Sequence, residues 1–431
     1  MHIKLKKVIG FIAFLQVTIF AAYPFAFAGS IDVIKIDDPI TPVVAEYIVK
    51  SIEEAEQASA ECLIIQMDTP GGLDLAMRSI IKRILAAEVP VVVYVSPGGA
   101  RAASAGAIIA IAAHIAAMAP GTNIGAAHPV NLGGGDMGKE MAAKVENDAA
   151  AYVESLAVKR KRNKDWAIKA VRESVSISEE EALKEKVIDL ITPDINSLIA
   201  DINGREVETA QGLKKLQTTG LTVNYKKMGM RENILKALAN PNVAYILMMI
   251  GMAGLYFELS NPGSIFPGAI GGISLILAFY SMQTLSANYA GVLLILLGMV
   301  LFIIELKVTS YGLLTIGGIV CITLGSLMLF QSPVPYLRIS PGVMIPTIVF
   351  ISLFFIFVIG IVVKAQQRKT TTGREGLVDM MGIAKSEIEK AGKVFVHGEY
   401  WDARSDLPIP KGSRVRVKSV DSMLLTVEKV D

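Results

Sequence analysis

The sequence predicts a membrane protein of three parts: an α/β domain, an all-α domain with several membrane-spanning helices, and a small all-β barrel. Strand-like and helix-like segments alternate from Ile31 to about Ile202, long apolar runs follow from Asn242, and short β-like runs separated by turns follow from about Gly376. The composition agrees with this division. A chain of 431 residues with 52% hydrophobic residues, 19% charged residues and a mean hydropathy of +0.49 is too apolar for an ordinary soluble protein.

Residues 1–28 have the features of a secretory signal peptide. A basic start is followed by an apolar stretch, and Ala26-Phe27-Ala28 fits a cleavage site before Gly29. An uncleaved anchor helix is the alternative. In both cases we expect the α/β domain, from 29 to about 230, to be exported.

The α/β domain is expected to contain a mostly parallel sheet with crossover helices. Three apolar runs predict buried strands, "IDVIKI", "CLIIQMD" and "VPVVVYVS". Thr41-Pro42 begins a helix, because threonine is a good N-cap and proline suits the first turn. Further helices are expected near Leu73 to Ala87 and near Ser104 to Met118, followed by a long helix in "EMAAKVENDAAAYVESLAVKRKR" and a late strand in "KVIDLI".

The region from 243 to 363 is predicted to cross the membrane about five times. One span takes roughly 20 apolar residues. The sequence contains five candidate runs: Val243–Leu259, Ile265–Leu285, Tyr289–Glu305, Gly312–Phe330 and Val343–Val363. Five spans place the barrel, 374–431, in the cytoplasm, in agreement with the basic cluster Lys364, Arg368, Lys369 and Arg374.

The small and acidic residues within these runs predict how the helices pack and which side chains water reaches. Gly317, Gly318, Gly325 and Ser326 favour close packing of helices rather than a pore. Glu258 and Glu305 lie near predicted span ends, where we expect water to solvate them.

The stretch "PGGARAASAGAIIAIAAHIAAMAPG" raises the question of catalysis. Ser104 stands at a predicted strand-to-helix turn, where N–H groups and the positive end of the helix dipole can stabilise an oxyanion. A second turn, Gly71-Gly72 in "MDTPGGLD", follows the preceding strand, and parallel neighbours bring such turns to one edge of a sheet. Ser104 is therefore a helix cap or a nucleophile, and the second turn favours the nucleophile.

A nucleophilic serine needs a base. His114 lies ten residues along the predicted helix, about 15 Å away, and cannot reach Ser104. His128 is not excluded by its spacing. A lysine can act as the base if desolvation removes its proton, and Lys139 and Lys144 follow in the next segment. Both lysines stay open at this point, as does a surface role for either.

The sequence resembles the membrane-bound serine proteases of the NfeD family, and the resemblance covers essentially the whole chain after the signal segment. The segments that carry it are "MDTPGGLDLAM", "SAGAIIAIAAHIAAMAPGTNIGAAHPV", "KVENDAAAYVESLA", "SISEEEALKEKVIDLI", "NPNVAYILMMIG" and "YWDARSDLPIPKGSRVRV". The resemblance implies a ClpP/crotonase-like fold for the α/β domain and an OB-like fold for the barrel.

For the site, the resemblance implies a serine–lysine dyad without a metal or cofactor. The serine of the family's "SAG" element falls on Ser104, and the family's lysine falls on Lys144. Lys139 stays a competitor, because the loop before it is rich in glycine. The implied oxyanion donors are backbone N–H groups of Gly71 or Gly72 and of Ala105.

The resemblance also implies cleavage within hydrophobic stretches, a stomatin-like membrane protein as substrate and partner, and at least a dimer. Nucleic acid is not an expected partner, because the barrel has few aromatic residues. Two other functions stay open. Export argues against an acyl-CoA enzyme of the crotonase type, since coenzyme A is a cytoplasmic cofactor. A non-catalytic membrane scaffold that assembles with a stomatin-like protein is the second alternative.

Overall fold

The computed structural model describes residues 29–130, 138–260, 263, 265–285, 287–308, 310, 312–332, 334–366 and 374–430. The predicted signal peptide lies outside the described residues. The chain divides into two compact units, Met1–Met299 with Val320–Ile348 and Val300–Ile319 with Val349–Asp431.

The α/β domain belongs to the first unit and contains a six-stranded parallel sheet. Its strands, in chain order, are β1 (Ser30–Asp37), β2 (Cys62–Asp68), β3 (Val91–Val95), β4 (Arg101–Ala103), β5 (Ile115–Met118), β6 (Asn123–Gly125), β7 (Ser176–Ser178), β8 (Leu190–Ile191), β9 (Glu206–Thr209), β10 (Gly212–Lys215) and β11 (Thr222–Lys226). The large sheet has the order β11-β1-β2-β3-β5-β8, and β4-β6-β7 form a smaller sheet.

The described part of the α/β domain contains eight helices, some of which cover the large sheet. They are α1 (Pro42–Gln57), α2 (Asp74–Leu85), α3 (Ala105–Ala112), α4 (Lys139–Lys159), α5 (Lys164–Arg172), α6 (Glu179–Lys184), α7 (Ile195–Asp201) and α8 (Met230–Leu238). The central strand β3 is buried along its whole length, as expected for a parallel sheet that is covered on both faces. Helix α1 begins as predicted, with Pro42 in its first turn and Thr41 Oγ1 accepting the Val44 N–H at 3.4 Å.

The predicted helix from Ser104 to Met118 is wrong in its second half. Helix α3 ends at Ala112, and Ile115–Met118 forms strand β5, which pairs with β3 from Val92↔Ile115 to Val95↔Met118. Every residue of α3 and of β5 is buried. Because neither element has a polar face, the sequence shows no periodicity that separates the helix from the strand.

Five apolar helices follow the α/β domain. They are α9 (Pro241–Ser260), α10 (Ile265–Leu285), α11 (Tyr289–Lys307), α12 (Leu313–Leu329) and α13 (Pro341–Gln366). In the part of the chain that the structure describes, three of them contain stretches long and apolar enough to cross a membrane: Pro241–Ser260, Ile265–Gln283 and Pro341–Val358. The apolar stretches Tyr289–Glu305 and Leu313–Leu329 are shorter.

Glycines allow close packing between these helices, as the sequence predicts. A Cβ atom added to Gly325 would lie 2.7 Å from the Gly291 carbonyl oxygen and 2.6 Å from Ile295 Cγ1. In the second unit, a Cβ on Gly318 would lie 2.6 Å from the Phe302 ring. Small residues at such contacts let helix backbones approach closely.

Glu305 is not solvated, contrary to the sequence-based expectation. Its side chain accepts hydrogen bonds from Ser310 Oγ at 2.7 Å, the Gly312 N–H at 3.0 Å and the Thr315 N–H at 3.1 Å. The carboxylate therefore satisfies donors at the beginning of α12, and these donors replace the water that the expectation assumed. Glu258 is half-buried.

The C-terminal part of the second unit is a closed five-stranded barrel, which confirms the predicted all-β fold. It follows a short helix, α14 (Arg374–Leu377). The strands are β12 (Met381–Ala384), β13 (Gly392–Val396), β14 (Glu399–Arg404), β15 (Arg414–Asp421) and β16 (Leu424–Lys429). Their order is β12-β13-β14-β16-β15, and β12 closes the barrel by pairing with β15.

Candidate functional site

Two chain segments meet at Ser104, the Gly71–Gly72 turn and the stretch Arg101–Ala103 that leads into Ser104. They follow the neighbouring parallel strands β2 and β3, and the chain after β3 continues through β4 into Ser104 and α3. Thr69 joins the two segments, because its N–H donates to the Arg101 carbonyl at 2.8 Å and its own carbonyl accepts the Ala103 N–H at 3.1 Å. The shared sheet edge expected from the sequence is thus present.

Ser104 has an unusual backbone conformation for a residue with a side chain. Its φ is +53° and its ψ is −116°, and its N–H donates to the Gly125 carbonyl at 2.9 Å. Its side chain makes no capping hydrogen bond to α3. A serine on a sharp, strained strand-to-helix turn projects its hydroxyl away from the backbone, as in known nucleophile elbows. The geometry favours a nucleophile over a cap.

Gly71 is required by this arrangement. Its φ is +122°, and a Cβ at this position would lie 2.8 Å from Ser104 Cβ and 3.2 Å from Ser104 Oγ. The neighbouring Gly72 also lacks room for a side chain, because its Cβ would lie 2.3 Å from the Ile40 carbonyl oxygen. The glycine turn therefore packs directly against Ser104 on one side and against Ile40 on the other.

Backbone N–H groups beside Ser104 differ in what they already bind. The Gly71 N–H donates to Thr69 Oγ1 at 3.2 Å. The Gly72 N–H has no hydrogen-bond partner among the described residues, because the bridge to Ile40 uses the Gly71 carbonyl and the Leu73 N–H.

Ala105 is the first residue of α3, a position whose N–H has no partner within the helix. Of the N–H groups of Gly71, Gly72 and Ala105, those of Gly72 and Ala105 are therefore free among the described residues.

A cavity of about 610 Å³ lies beside these groups. Ser104, Ala105, Gly72, His128 and Lys144 all line it. Its volume is within the range of pockets that bind small molecules or short peptide segments.

The structure separates the two candidate lysines. Lys144 lies in the second turn of α4, is exposed, lines the cavity, and forms no ion pair with any described residue. Lys139 is the first residue of α4 and does not line the cavity. The exposed amine of Lys144 is therefore available to a group bound in the cavity.

The two histidines also differ. His128 lines the cavity, and its Nδ1 lies 2.9 Å from the Val171 carbonyl oxygen, so Nδ1 carries the proton in the neutral ring. His114 lies outside the cavity lining, between α3 and β5, where its Nδ1 accepts the Val91 N–H at 3.1 Å. Burial, together with the nearby Arg160 and Arg162, lowers the pKa of His114 to about 3.

An ionic cluster in the cavity was not predicted from the sequence. Arg78 donates to Asp74 at 2.8 Å and to Asp148 at 2.5 Å, and its guanidinium carbon lies 4.4 Å from the centre of the Tyr152 ring. All four residues line the cavity. Asp148 lies four residues after Lys144 on α4, but its carboxylate pairs with Arg78 and leaves Lys144 free. The i, i+4 spacing of Asp74 and Arg78 on α2 was the available signal for part of this cluster.

Comparisons with known proteins match the chain along its length. The model of the NfeD1b N-terminal domain matches residues 30–223, the NfeD integral membrane domain matches 242–361, and the NfeD-like C-terminal, partner-binding domain matches 374–429. Membrane-bound protease PH1510 of Pyrococcus horikoshii is 35% identical over 95% of this chain and 96% of its own length. Membrane protein NfeD1b of Bacillus subtilis is 29% identical over 92% of both chains.

Solved structures of an N-terminal domain are similar as well. The 1510-N membrane protease specific for a stomatin homolog from Pyrococcus horikoshii is 34% identical, with 49% of this chain and 99% of that chain covered and a TM-score of 0.44. A lysine-to-alanine mutant of that stomatin-specific protease, in complex with a substrate peptide, is 34% identical, with 49% and 97% covered and a TM-score of 0.45. The matches to all three family models and the 35% identity over nearly the full length show that the chain belongs to the NfeD family.

Proposed function

We propose that the chain is a membrane-bound serine endopeptidase that cleaves hydrophobic segments of membrane-associated proteins. One observation carries the proposal: Ser104, on its strained turn, shares one cavity with the free N–H donors Gly72 and Ala105 and with the unpaired amine of Lys144. The 35% identity to a membrane-bound protease over nearly the full length supports the same conclusion.

In the proposed reaction, Ser104 Oγ attacks the peptide carbonyl and its proton passes to the neutral amine of Lys144. The carbonyl oxygen becomes an oxyanion that accepts hydrogen bonds from the Gly72 and Ala105 N–H groups, each worth roughly 3–4 kcal/mol of transition-state stabilisation. The C–N bond then breaks, the leaving amine takes the proton from Lys144, and an ester on Ser104 remains. Water, deprotonated by Lys144, hydrolyses this ester.

Lys144 must be uncharged to accept the proton. It is exposed in this structure, so we infer that bound substrate covers it and removes the water that stabilises the ammonium form. The position of Lys144 on the cavity supports it over Lys139, and the family resemblance supports it over His128.

The proposed substrate and partner is a stomatin-like membrane protein. The relative of known structure is described as specific for a stomatin homolog, and the matched C-terminal domain is described as partner-binding. We further propose that residues 1–28 export the domain 29–230, that 243–363 cross the bilayer about five times, that the barrel 374–431 is cytoplasmic, and that the protease domain assembles as at least a dimer.

The test is proteolysis by the full-length chain in detergent micelles, with an unstructured protein, hydrophobic peptides and a peptide from a stomatin-like protein as substrates. The variants are Ser104→Ala, Lys144→Ala, Lys139→Ala and His128→Gln. We expect the first two to lose activity about 1000-fold or more, because the nucleophile and its base act as a unit. Lys139→Ala and His128→Gln are expected to stay within about tenfold of the wild type.

Each other result has a clear meaning. Loss of activity in Lys139→Ala or His128→Gln, with Lys144→Ala active, would assign the base to a different residue. If the folded wild-type chain binds the stomatin-like peptide but cleaves none of the substrates, the proposed protease function would be wrong and the non-catalytic scaffold would take its place.

A further inference from the structure

One wall of the cavity beside Ser104 comes from the membrane domain rather than from the α/β domain. Val334 and Tyr336 line the cavity together with Gly72 and Ser104. Both belong to the segment 334–340 between α12 and α13, here termed the connector, which contains the 3₁₀ helix Pro335–Leu337. All these residues belong to the first compact unit of the chain.

The connector is held by its own hydrogen bonds. The Leu337 N–H donates to the Val334 carbonyl at 3.1 Å, and the Val334 N–H donates to Ser332 Oγ at 3.2 Å. At the other end, the Ser340 N–H donates to Asn242 Oδ1 at 2.8 Å, at the beginning of α9. These bonds give the connector a defined position, as a binding wall requires.

The connector and Gly72 also line a second, very small cavity of about 20 Å³, to which Ile40, Leu73, Tyr336 and Leu337 contribute. This volume is about what one water molecule needs. Tyr336 and Gly72 line both cavities, so the connector and the glycine turn border the same space on the side where the Gly72 N–H is free among the described residues.

We propose that the connector forms a wall of the substrate cleft, and that Tyr336 with Val334 determines which substrate side chains fit beside Gly72. The inference rests on the proposed peptidase function and adds a specificity-determining element to it. An aromatic ring and a branched aliphatic side chain, both half-buried, offer an apolar surface of fixed size. The preferred substrate side chain is therefore apolar and limited in size.

The origin of this wall also restricts where the substrate approaches. The connector joins the two apolar helices α12 and α13, so the wall lies at the ends of helices that are proposed to cross the membrane. If these helices cross the membrane as proposed, a peptide that reaches the wall lies close to the membrane surface.

The test uses the full-length chain and a series of otherwise identical apolar peptides with Ala, Leu or Phe at one position beside the cleaved bond. We expect Tyr336→Ala to raise KM for the Leu peptide about tenfold, with kcat changed less than threefold, and to shift the preference towards Phe. Tyr336→Phe keeps the ring and should retain the wild-type values. Val334→Phe narrows the cleft and should shift the preference towards Ala.

Tyr289→Ala is the matched control, because this exposed tyrosine of α11 lines neither cavity. If Tyr336→Ala fails to fold, the size preference of Val334→Phe alone tests whether the connector determines which substrate side chains fit. The inference would be overturned if both variants kept the size preference and KM of the wild type while their Ser104-dependent cleavage stayed intact. That result would not affect the proposed function.

A binding measurement separates the two proposals if no cleavage is seen. The Ser104→Ala chain is titrated with the fluorescently labelled Leu peptide, with and without Tyr336→Ala. A Kd about tenfold weaker in the double variant supports the wall even if the wild type proves inactive, whereas equal Kd values contradict it.

Discussion

At the scale of single residues, the candidate site depends on how closely two stretches of backbone approach. Ser104 keeps a strained conformation at φ +53°, and Gly71 at φ +122° leaves room for its side chain. Strain of this kind costs of order 1–3 kcal/mol per residue and persists only where the surroundings enforce it. The Ser104 N–H bond to Gly125 and the two bonds through Thr69 provide that enforcement.

Gly71→Ala is predicted to damage activity more than stability. The added methyl would lie 2.8 Å from Ser104 Cβ, so Ser104 must move, and the positive φ adds a cost of about 1–3 kcal/mol to the folded state. Thermal unfolding and peptide cleavage measure the two effects. Gly99→Ala is the matched control, because Gly99 has φ +89° but no atom within 4 Å of an added Cβ. Equal losses of activity in both variants would mean that the contact with Ser104 is unimportant.

The burial of His114 is expected to make the stability of the α/β domain sensitive to acid. His114 is the only histidine with a resolved pKa shift in the described chain, from an ordinary value of 6.5 to about 3, and its Nε2 has no hydrogen-bond partner among the described residues. The unfolded chain binds a proton at this ring below about pH 6.5, whereas the folded chain does not until about pH 3. Stability from this group is therefore fully present above pH 6.5 and falls as the pH falls towards 3.

The expected slope is about 1.4 kcal/mol of unfolding free energy per pH unit within that window. His114→Asn keeps an acceptor for the Val91 N–H and removes the titrating ring. We predict that its thermal midpoint depends less steeply on pH between 6 and 4 than that of the wild type. The buried Trp166 reports unfolding of the α/β domain, in a Trp401→Phe background. Parallel pH profiles for the two chains would contradict the assignment.

At the scale of elements, both ends of helix α3 are fixed by neighbouring groups. The helix begins directly after the strained Ser104, and two arginines donate hydrogen bonds to the carbonyl groups at its C-terminal end. Arg162 donates to the carbonyls of Ala110 at 3.0 Å, Ala113 at 2.9 Å and Ile111, and it pairs with Asp189 at 2.6 Å. Arg160 donates to Ala112 at 2.8 Å. A cation at a helix C-terminus satisfies free carbonyls and complements the helix dipole.

Arg162→Met is predicted to lower the free energy of unfolding by about 3 kcal/mol. The side chain of Arg162 is 3% exposed, and its removal leaves several carbonyls and the Asp189 carboxylate without a partner. Chemical unfolding followed by Trp166 fluorescence measures the change. Arg172→Met, at an exposed arginine of α5 that contacts Asn147, should cost less than about 0.5 kcal/mol. A small loss in Arg162→Met would show that α3 does not need this cap.

Helix α1, which has one polar face, was predictable from the sequence, whereas the change from helix α3 to strand β5, neither of which has one, was not. Helix α1 alternates buried and exposed positions and has its Thr41 cap, so its beginning was predicted correctly. The stretch from Ala105 to Ala119 is apolar apart from the buried His114, and only the pairing of Ile115–Met118 with β3 decides between helix and strand. Glu305 was misassigned for a related reason, because its partners depend on how the chain turns at 310–312.

At the scale of the whole molecule, the sequence predicted the three-part architecture because each part has its own hydrophobic pattern. For the candidate site it indicated Ser104 and the Gly71–Gly72 turn, since these groups lie at the ends of neighbouring strands, and it left Lys144 and Lys139 as alternatives, of which Lys144 lines the cavity. It gave no sign of Val334 and Tyr336. Their place in the cavity depends on how the membrane helices meet the α/β domain, and no local pattern encodes that contact.

The most direct test of the central claim is covalent labelling of the full-length chain with a fluorophosphonate, followed by mass spectrometry of its peptides. We predict one adduct, on Ser104, that is absent from Ser104→Ala and forms much more slowly in Lys144→Ala than in Lys139→Ala. Labelling of another residue, or equal rates in Lys144→Ala and the wild type, would contradict the serine–lysine mechanism.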